Sequence, residues 1–244
     1  MVKHVICLSG GKDSTAMALR LAEIEPQDYE YLITPTGNEL PTMIAHWKRL
    51  SALLGKPLTV RTMGMGLSAA IRAQGMIPNF RARWCTRILK IEVAEMYFVA
   101  NAPCTSYVGL RADEDATKRV GMYGEIEGLT KRYPLREWGW GLKQVLSYLE
   151  ERCVAIPERT DCALCFYQRI GEWWNLWKDY PEHFRQGENL EAELGHTFRS
   201  DTRDSWPAGL AELRTEFEKG KRPKNAGQGN LFEERVGMCR ACSL

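Results

Sequence analysis

The chain has 244 residues, of which 44% are hydrophobic and 26% charged, and its formal net charge is +2. That much apolar material supports a sizeable core, arranged as one large domain or as a domain with a smaller companion. The charge is too even to argue by itself for a nucleic-acid partner, and no stretch approaches the roughly 20 consecutive apolar residues of a membrane span.

No signal-peptide apolar region precedes the first glycine loop, so a cytoplasmic protein with no membrane partner is expected. In that compartment the eight cysteines read as metal ligands or reactive thiols rather than disulfides. Residues 5–8, Val-Ile-Cys-Leu, form a short apolar run that predicts a buried strand. Ser9, Gly10, Gly11, Lys12, Asp13 and Ser14 follow, then Met17, Leu21 and Ile24 at helical spacing. Strand, tight loop and helix in that order make a phosphate cradle: glycines let the backbone approach, and the free N–H groups and dipole of the helix N-terminus favour an anion. Further strands are predicted at 29–34, near 58–61 and at 106–110, alternating with helices at 41–54 and 88–100. Such alternation predicts an α/β fold, a doubly wound and mostly parallel sheet whose ligands lie beyond the carboxyl ends of its strands.

Past residue 150 the pattern is helical, at 166–180 and 181–194. Trp173, Trp174 and Trp177 recur at helical spacing and are expected in a core rather than as a base-stacking platform. Residues 219–230, rich in Gly, Lys and Asn, read as a mobile linker to the last residues, and no internal repeat is present. Three basic clusters (Arg81, Arg83, Arg87, Lys90; Lys131, Arg132, Arg136; Lys219, Lys221, Arg222, Lys224) are either solvated faces or contacts for a polyanion.

The loop at 9–14 has neither the Walker nor the Rossmann glycine spacing. Its Ser-Gly-Gly-Lys-Asp-Ser resembles the PP-loop of the ATP pyrophosphatase superfamily, which cleaves ATP between its α and β phosphates and adenylates a substrate. The resemblance implies that Ser9, Gly10, Gly11 and Ser14 hold the pyrophosphate, that Lys12 neutralises it, and that Asp13 helps place Mg²⁺. Thr36-Gly37-Asn38-Glu39-Leu40-Pro41-Thr42 is similar to a segment of the PAPS reductase branch, with Pro35 where the family usually has Asp. That branch also contains the adenylating subunit of ATP sulfurylase and the DNA phosphorothioation protein DndC. Gly109 to Glu114 with Arg119, and Tyr133-Pro134-Leu135 with Trp138 and Val145, match further blocks of the branch. The resemblance implies an adenine nucleotide α-hydrolase-like domain over residues 1–150, with a smaller helical region at 151–244 that carries two Cys-x-x-Cys motifs. Nucleotide contacts are then expected from Thr36, Gly37, Asn38 and Glu39. Arg111 and Arg119 suit bidentate contacts to phosphate or sulfate, the alternative for Arg111 being an ion pair with Asp113 or Glu114.

Cys85, in Trp-Cys-Thr-Arg-Ile-Leu-Lys, and the Cys162/Cys165 pair resemble the cysteines that hold a 4Fe-4S cluster in iron-sulfur sulfonucleotide reductases. Trp84 replaces one cysteine of that set. A two-residue spacer lets both thiolates of a Cys-x-x-Cys face one metal, and ordinary buried thiols are the alternative. Cys239 and Cys242 either complete a four-thiolate zinc site with Cys162 and Cys165, supply the missing cluster ligand, carry sulfur as mobile thiols, or do none of these. Cys7, Cys104 and Cys153 are expected to be structural.

The expected function is an enzyme that binds ATP and Mg²⁺, adenylates a substrate with pyrophosphate release, and couples this to 4Fe-4S-dependent sulfur transfer. Its catalytic residues are then Lys12, Asp13, Arg111, Cys239 and Cys242. Partners expected besides the adenine nucleotide are a nucleic acid or a sulfur-donor protein, and a second copy of the chain. The alternatives are a sulfonucleotide reductase that forms sulfite, and a zinc-containing nucleic-acid-binding protein. The intact Lys12-Asp13-Ser14 favours the first, because true reductases release no pyrophosphate and have lost these residues.

Overall fold

In the computed structural model, which describes residues 2–115 and 123–224, the first apolar run forms β1 (Lys3–Cys7). Val5 and Ile6 are fully buried, as befits a strand covered on both faces. The chain then builds α1 (Lys12–Ile24), β2 (Tyr29–Ile33), α2 (Pro41–Leu53), β3 (Thr59–Val60) and α3 (Leu67–Gln74). Next come α4 (Trp84–Thr86), a π-helical turn (Arg87–Ile91) and α5 (Glu92–Ala100), which run on without a break. The remaining elements are β4 (Cys104–Val108), β5 (Leu129–Arg132), α6 (Pro134–Glu137), α7 (Leu142–Glu151), α8 (Ile170–Asp179), α9 (Pro181–Leu194) and α10 (Leu210–Glu218).

The five strands lie in the order β3-β2-β1-β4-β5 and every pair is parallel, with His4 opposite Tyr29 on one side and Thr105 on the other. This is the doubly wound sheet the alternation predicts. Because β1 is flanked by β2 and β4, the loops leaving β1 and β4 part on opposite sides and open a crevice between them. One core lies against α1 and α7, with Ile6, Met17, Leu21, Leu135 and Val145 fully buried. A second gathers α8, α9 and α10 around Trp173, Phe184, Leu190 and Leu213 and takes Leu67, Ile71, Ile77 and Leu89 from the first part of the chain. The tryptophans of α8 therefore serve the core: Trp173 is fully buried, Trp174 nearly so, and Trp177 packs against the same cluster.

Several expectations are corrected. The helix expected at 88–100 starts at Trp84, and the one expected at 166–180 starts only at Ile170, because 162–168 is taken up by turns closed by Cys165 N–H to Cys162 O (3.2 Å) and Gln168 N–H to Cys165 O (3.1 Å). The strand expected at 106–110 begins two residues earlier, at Cys104. α3, β5, α6, α7 and α10 are not among the elements the sequence pattern predicts. The first residues of the expected linker are exposed but make side-chain contacts: Lys219 and Lys221 pair with Glu216, Lys221 lies 4.3 Å from the Trp206 ring centroid, and Arg222 lies 4.7 Å from that of Trp174, while 225–230 lie outside the described residues. The second basic cluster is also spent internally, since Arg132 pairs with Glu25 and Glu137 while Lys131 donates to the Tyr123 and Gly124 carbonyls.

Glu191 of α9 ties this second core together by accepting the N–H groups of Phe198 (2.8 Å) and Leu210 (2.6 Å). Burial pushes its carboxyl up to about 7. Its folded value lies above its unfolded one, so its contribution is fully present below the unfolded value and is lost as pH rises through about 7. Wild-type stability, followed by thermal melts, is expected to fall by about 2 kcal/mol between about pH 5.5 and 8 from this group. Glu191→Gln should start lower but melt with a flatter pH dependence, and an unchanged slope would refute the assignment.

Candidate nucleotide site and thiol pocket

The loop from Ser9 to Ser14 turns tightly between β1 and α1, with Gly10 at φ +83°. A Cβ there would lie 2.7 Å from Trp47 Nε1 and collide with the Met43 side chain, so conformation and space both require glycine. Ser9 and Ser14 hydroxyls meet at 3.0 Å and accept the Gly11 and Gly10 N–H groups, each at 3.2 Å. From behind, Trp47 Nε1 donates to the Ser9 carbonyl (3.1 Å) and His46 Nε2 to the Gly10 carbonyl (3.0 Å). Burial, first, and then Arg49 pull the His46 imidazole down to about 4, so it is neutral with its proton on Nε2. Neither His46 nor Trp47 belongs to the 9–14 motif, and their sequence signal is limited to a place in the helix predicted at 41–54.

Lys12 opens α1 with 1% of its surface exposed. Its ammonium makes no hydrogen bond and lies 3.6 Å from the Asp13 carboxylate. Burial pulls its pKa below the ordinary lysine value, and Asp13 opposes that pull. Across the crevice, Gly109 comes so close to α1 that a Cβ would stand 3.0 Å from the Ser14 nitrogen and 3.1 Å from the Asp13 carbonyl carbon. This brings Arg111 to Asp13, whose two carboxylate oxygens each lie 3.2 Å from Nη1. Arg111 Nε donates to Asp113 (2.8 Å), and its backbone N–H to Glu114 (2.9 Å). Arg111 is ion-paired with Asp113, as the alternative reading has it, and also with Asp13, and it is 6% exposed.

The loop after β2 is bound to the first Cys-x-x-Cys. Thr36 N–H and hydroxyl both donate to the Glu39 carboxylate (2.6 and 2.8 Å), and Thr36 Oγ1 lies 3.2 Å from Cys162 Sγ. Asn38, 4% exposed, has every polar side-chain atom in use: Oδ1 accepts Leu164 N–H (2.9 Å) and Nδ2 donates to Gln186 (3.0 Å). Its carbonyl accepts Ala163 N–H (2.6 Å), and Glu39 and Cys162 form an isolated antiparallel bridge. Arg159 braces the same turn by donating to the Cys162 carbonyl (2.7 Å).

Cys85, Cys162 and Cys165 line one pocket with Thr36, Lys90 and Phe166. It holds about 350 Å³ of empty space counting its open side. Burial pushes the Cys162 thiol up to about 12 and the Cys165 thiol well above its ordinary value. Three soft thiols in an apolar pocket are the donor chemistry of an iron-sulfur or zinc site. Among the described residues, however, no three His, Cys, Asp or Glu side chains converge to chelate one ion. Cys7 and Cys104 are strand thiols in β1 and β4, as expected, but Cys153 is not in apolar surroundings: it is exposed in the turn after α7 at φ +53°. Arg119, Cys239 and Cys242 lie outside the described residues.

Residues 3–176 match the model of the phosphoadenosine phosphosulfate reductase domain family. No curated protein matches the chain. Among solved structures, the phosphoadenylyl-sulfate (PAPS) reductase of Candida auris, in its phosphate complex, is similar in fold, with a TM-score of 0.50 at 15% identity over 64% of this chain and 75% of that one. No helix among the described residues is long and apolar enough to cross a membrane.

Proposed function

The chain belongs to the phosphoadenosine phosphosulfate reductase domain family, and from that premise we propose that it is an ATP-dependent enzyme of sulfur chemistry. ATP with Mg²⁺ binds at Ser9, Gly10, Gly11, Lys12, Asp13 and Ser14; a nucleophilic oxygen of the substrate attacks the α-phosphorus, the bond to the β-phosphate oxygen breaks, and pyrophosphate leaves. A sulfide-level nucleophile then attacks the substrate atom that bears the adenylated oxygen, and a bond to sulfur forms as the bond to that oxygen breaks and AMP departs with it. The observation that carries this reading is Lys12, a buried ammonium without a hydrogen-bond partner at the N-terminus of α1. A buried cation in that state is costly unless an anion completes it, and a leaving pyrophosphate does so as its charge develops. His46 and Trp47 support the reading by tying the Gly10 and Ser9 carbonyls to α2, which keeps these acceptors from facing a bound phosphate. Asp13 offers a carboxylate to Mg²⁺, and Arg111 fixes its orientation.

Of the groups such an enzyme employs, a 4Fe-4S cluster of the DndC-like kind would be held by Cys85, Cys162 and Cys165 and would supply an iron open to sulfide. Zinc, the alternative, would be held by Cys162, Cys165, Cys239 and Cys242. The second reading, a sulfonucleotide reductase that forms sulfite, is favoured by the family match itself. One pair of assays separates the two. Pyrophosphate release from ATP, with no sulfite formed from PAPS and a thiol reductant, is the expected result; sulfite from PAPS without pyrophosphate from ATP would overturn the adenylating reading.

A further inference from the structure

The loop at 36–39 leaves β2 at the carboxyl edge of the sheet, where the sequence places nucleotide contacts, yet its polar atoms are turned to the thiol-bearing turn. Two consecutive amides of that turn, Ala163 and Leu164, find their acceptors in Asn38 (2.6 and 2.9 Å) rather than in their own segment. The third polar atom of Asn38 is fixed by Gln186 on α9. Thr36 adds a contact to the Cys162 sulfur itself. The turn that carries both thiols is therefore anchored by a bridge between residues 126 apart in sequence, and full exposure of buried Cys165 requires that anchor to release. Local openings of this kind are set by the few hydrogen bonds that oppose them. A ligand that binds the closed loop suppresses them by mass action.

We propose that Asn38 is a positioning residue that couples nucleotide occupancy of the PP-loop crevice to the closure of the Cys162/Cys165 turn. The proposal rests on the nucleotide reading above. MgATP, by ordering residues 36–39, holds the Asn38 bridge shut and keeps both thiols from solvent until the nucleotide is spent, so that sulfur chemistry at the pocket follows adenylation.

The test measures iodoacetamide alkylation of Cys162 and Cys165 by peptide mass spectrometry on the full chain of known metal content, with MgATP affinity measured separately by calorimetry. At ten times the measured Kd, MgATP should slow alkylation of both thiols about tenfold in the wild type, while exposed Cys153 reports an unchanged rate. Asn38→Ala should react faster without nucleotide and be slowed less than twofold at ten times its own Kd. Asn38→Asp, which keeps the acceptor for Leu164, should recover most of the protection. Thr36→Val, nearly isosteric, should lose protection at Cys162 and keep it at Cys165. If the wild type binds MgATP and alkylation changes less than twofold, or if Asn38→Ala stays fully protected, the coupling is wrong while the nucleotide reading stands. If calorimetry finds no MgATP binding to the wild type, the nucleotide reading fails and the coupling falls with it.

Discussion

Lys12→Met is expected to lower the rate of pyrophosphate release by about 10²–10³-fold, the range found when one preorganised charge-stabilising group is removed from an active site. The same substitution should raise the melting temperature of the nucleotide-free protein. These opposite signs follow from one fact: the ammonium is 1% exposed with no hydrogen-bond partner, and the Asp13 carboxylate 3.6 Å away, itself shared with Arg111, offsets its desolvation only in part. Methionine fills nearly the same volume without charge, so no cavity obscures the result. A thermal-shift titration completes the experiment. MgATP should stabilise the wild type and leave Lys12→Met almost unmoved, since the bound anion supplies the missing partner only where the cation exists. Turnover within twofold of wild type, or a lower melting temperature without nucleotide, would remove Lys12 from the role assigned to it.

The parts of the molecule that could be read from sequence are those whose cause is local. The 9–14 loop, the strands at 3–7 and 29–33 and the helices at 41–53 and 181–194 are written in apolar runs, glycines and helix-starting prolines, and the structure places them within a residue or two of expectation. β5 escaped because Leu-Thr-Lys-Arg, half-exposed at the sheet edge, carries no apolar period; its pairing with β4 makes it a strand. The site splits along the same line. Lys12 and Asp13 announce themselves within one loop, but the partners that define them come from far away: Arg111 reaches Asp13 across 98 residues, and Gly109 is needed only because β4 happens to end against α1. Asn38 shows the limit most plainly. In sequence it stands in a segment associated with nucleotide, and its environment in space is a cysteine turn on another part of the chain.

Cys85→Ser and Cys162→Ser are each expected to abolish the iron and sulfide content of anaerobically purified protein, together with its brown colour, while Cys153→Ser retains both. The argument begins with how thiols must be placed for each metal. A single zinc ion needs its ligands to converge on one point at about 2.3 Å. In a 4Fe-4S cluster each thiolate binds a different iron, so the sulfurs are spread around a cavity. Cys85, Cys162 and Cys165 share the walls of one pocket, and the proposed cluster would take one thiolate from each. The pocket has to widen to take a cluster, because Cys162 and Cys165 are joined in a tight turn closed by Cys165 N–H to Cys162 O (3.2 Å). The element that would yield is the hydrogen-bonded turn at 162–165, held to the first part of the chain chiefly through Asn38 and the Glu39–Cys162 bridge. Circular dichroism on each variant separates loss of metal from loss of fold. Stoichiometric zinc without iron, unaffected by Cys85→Ser and lost in Cys162→Ser and Cys239→Ser, would transfer the site to Cys162, Cys165, Cys239 and Cys242, and Cys85 would then be a packing residue at the start of α4.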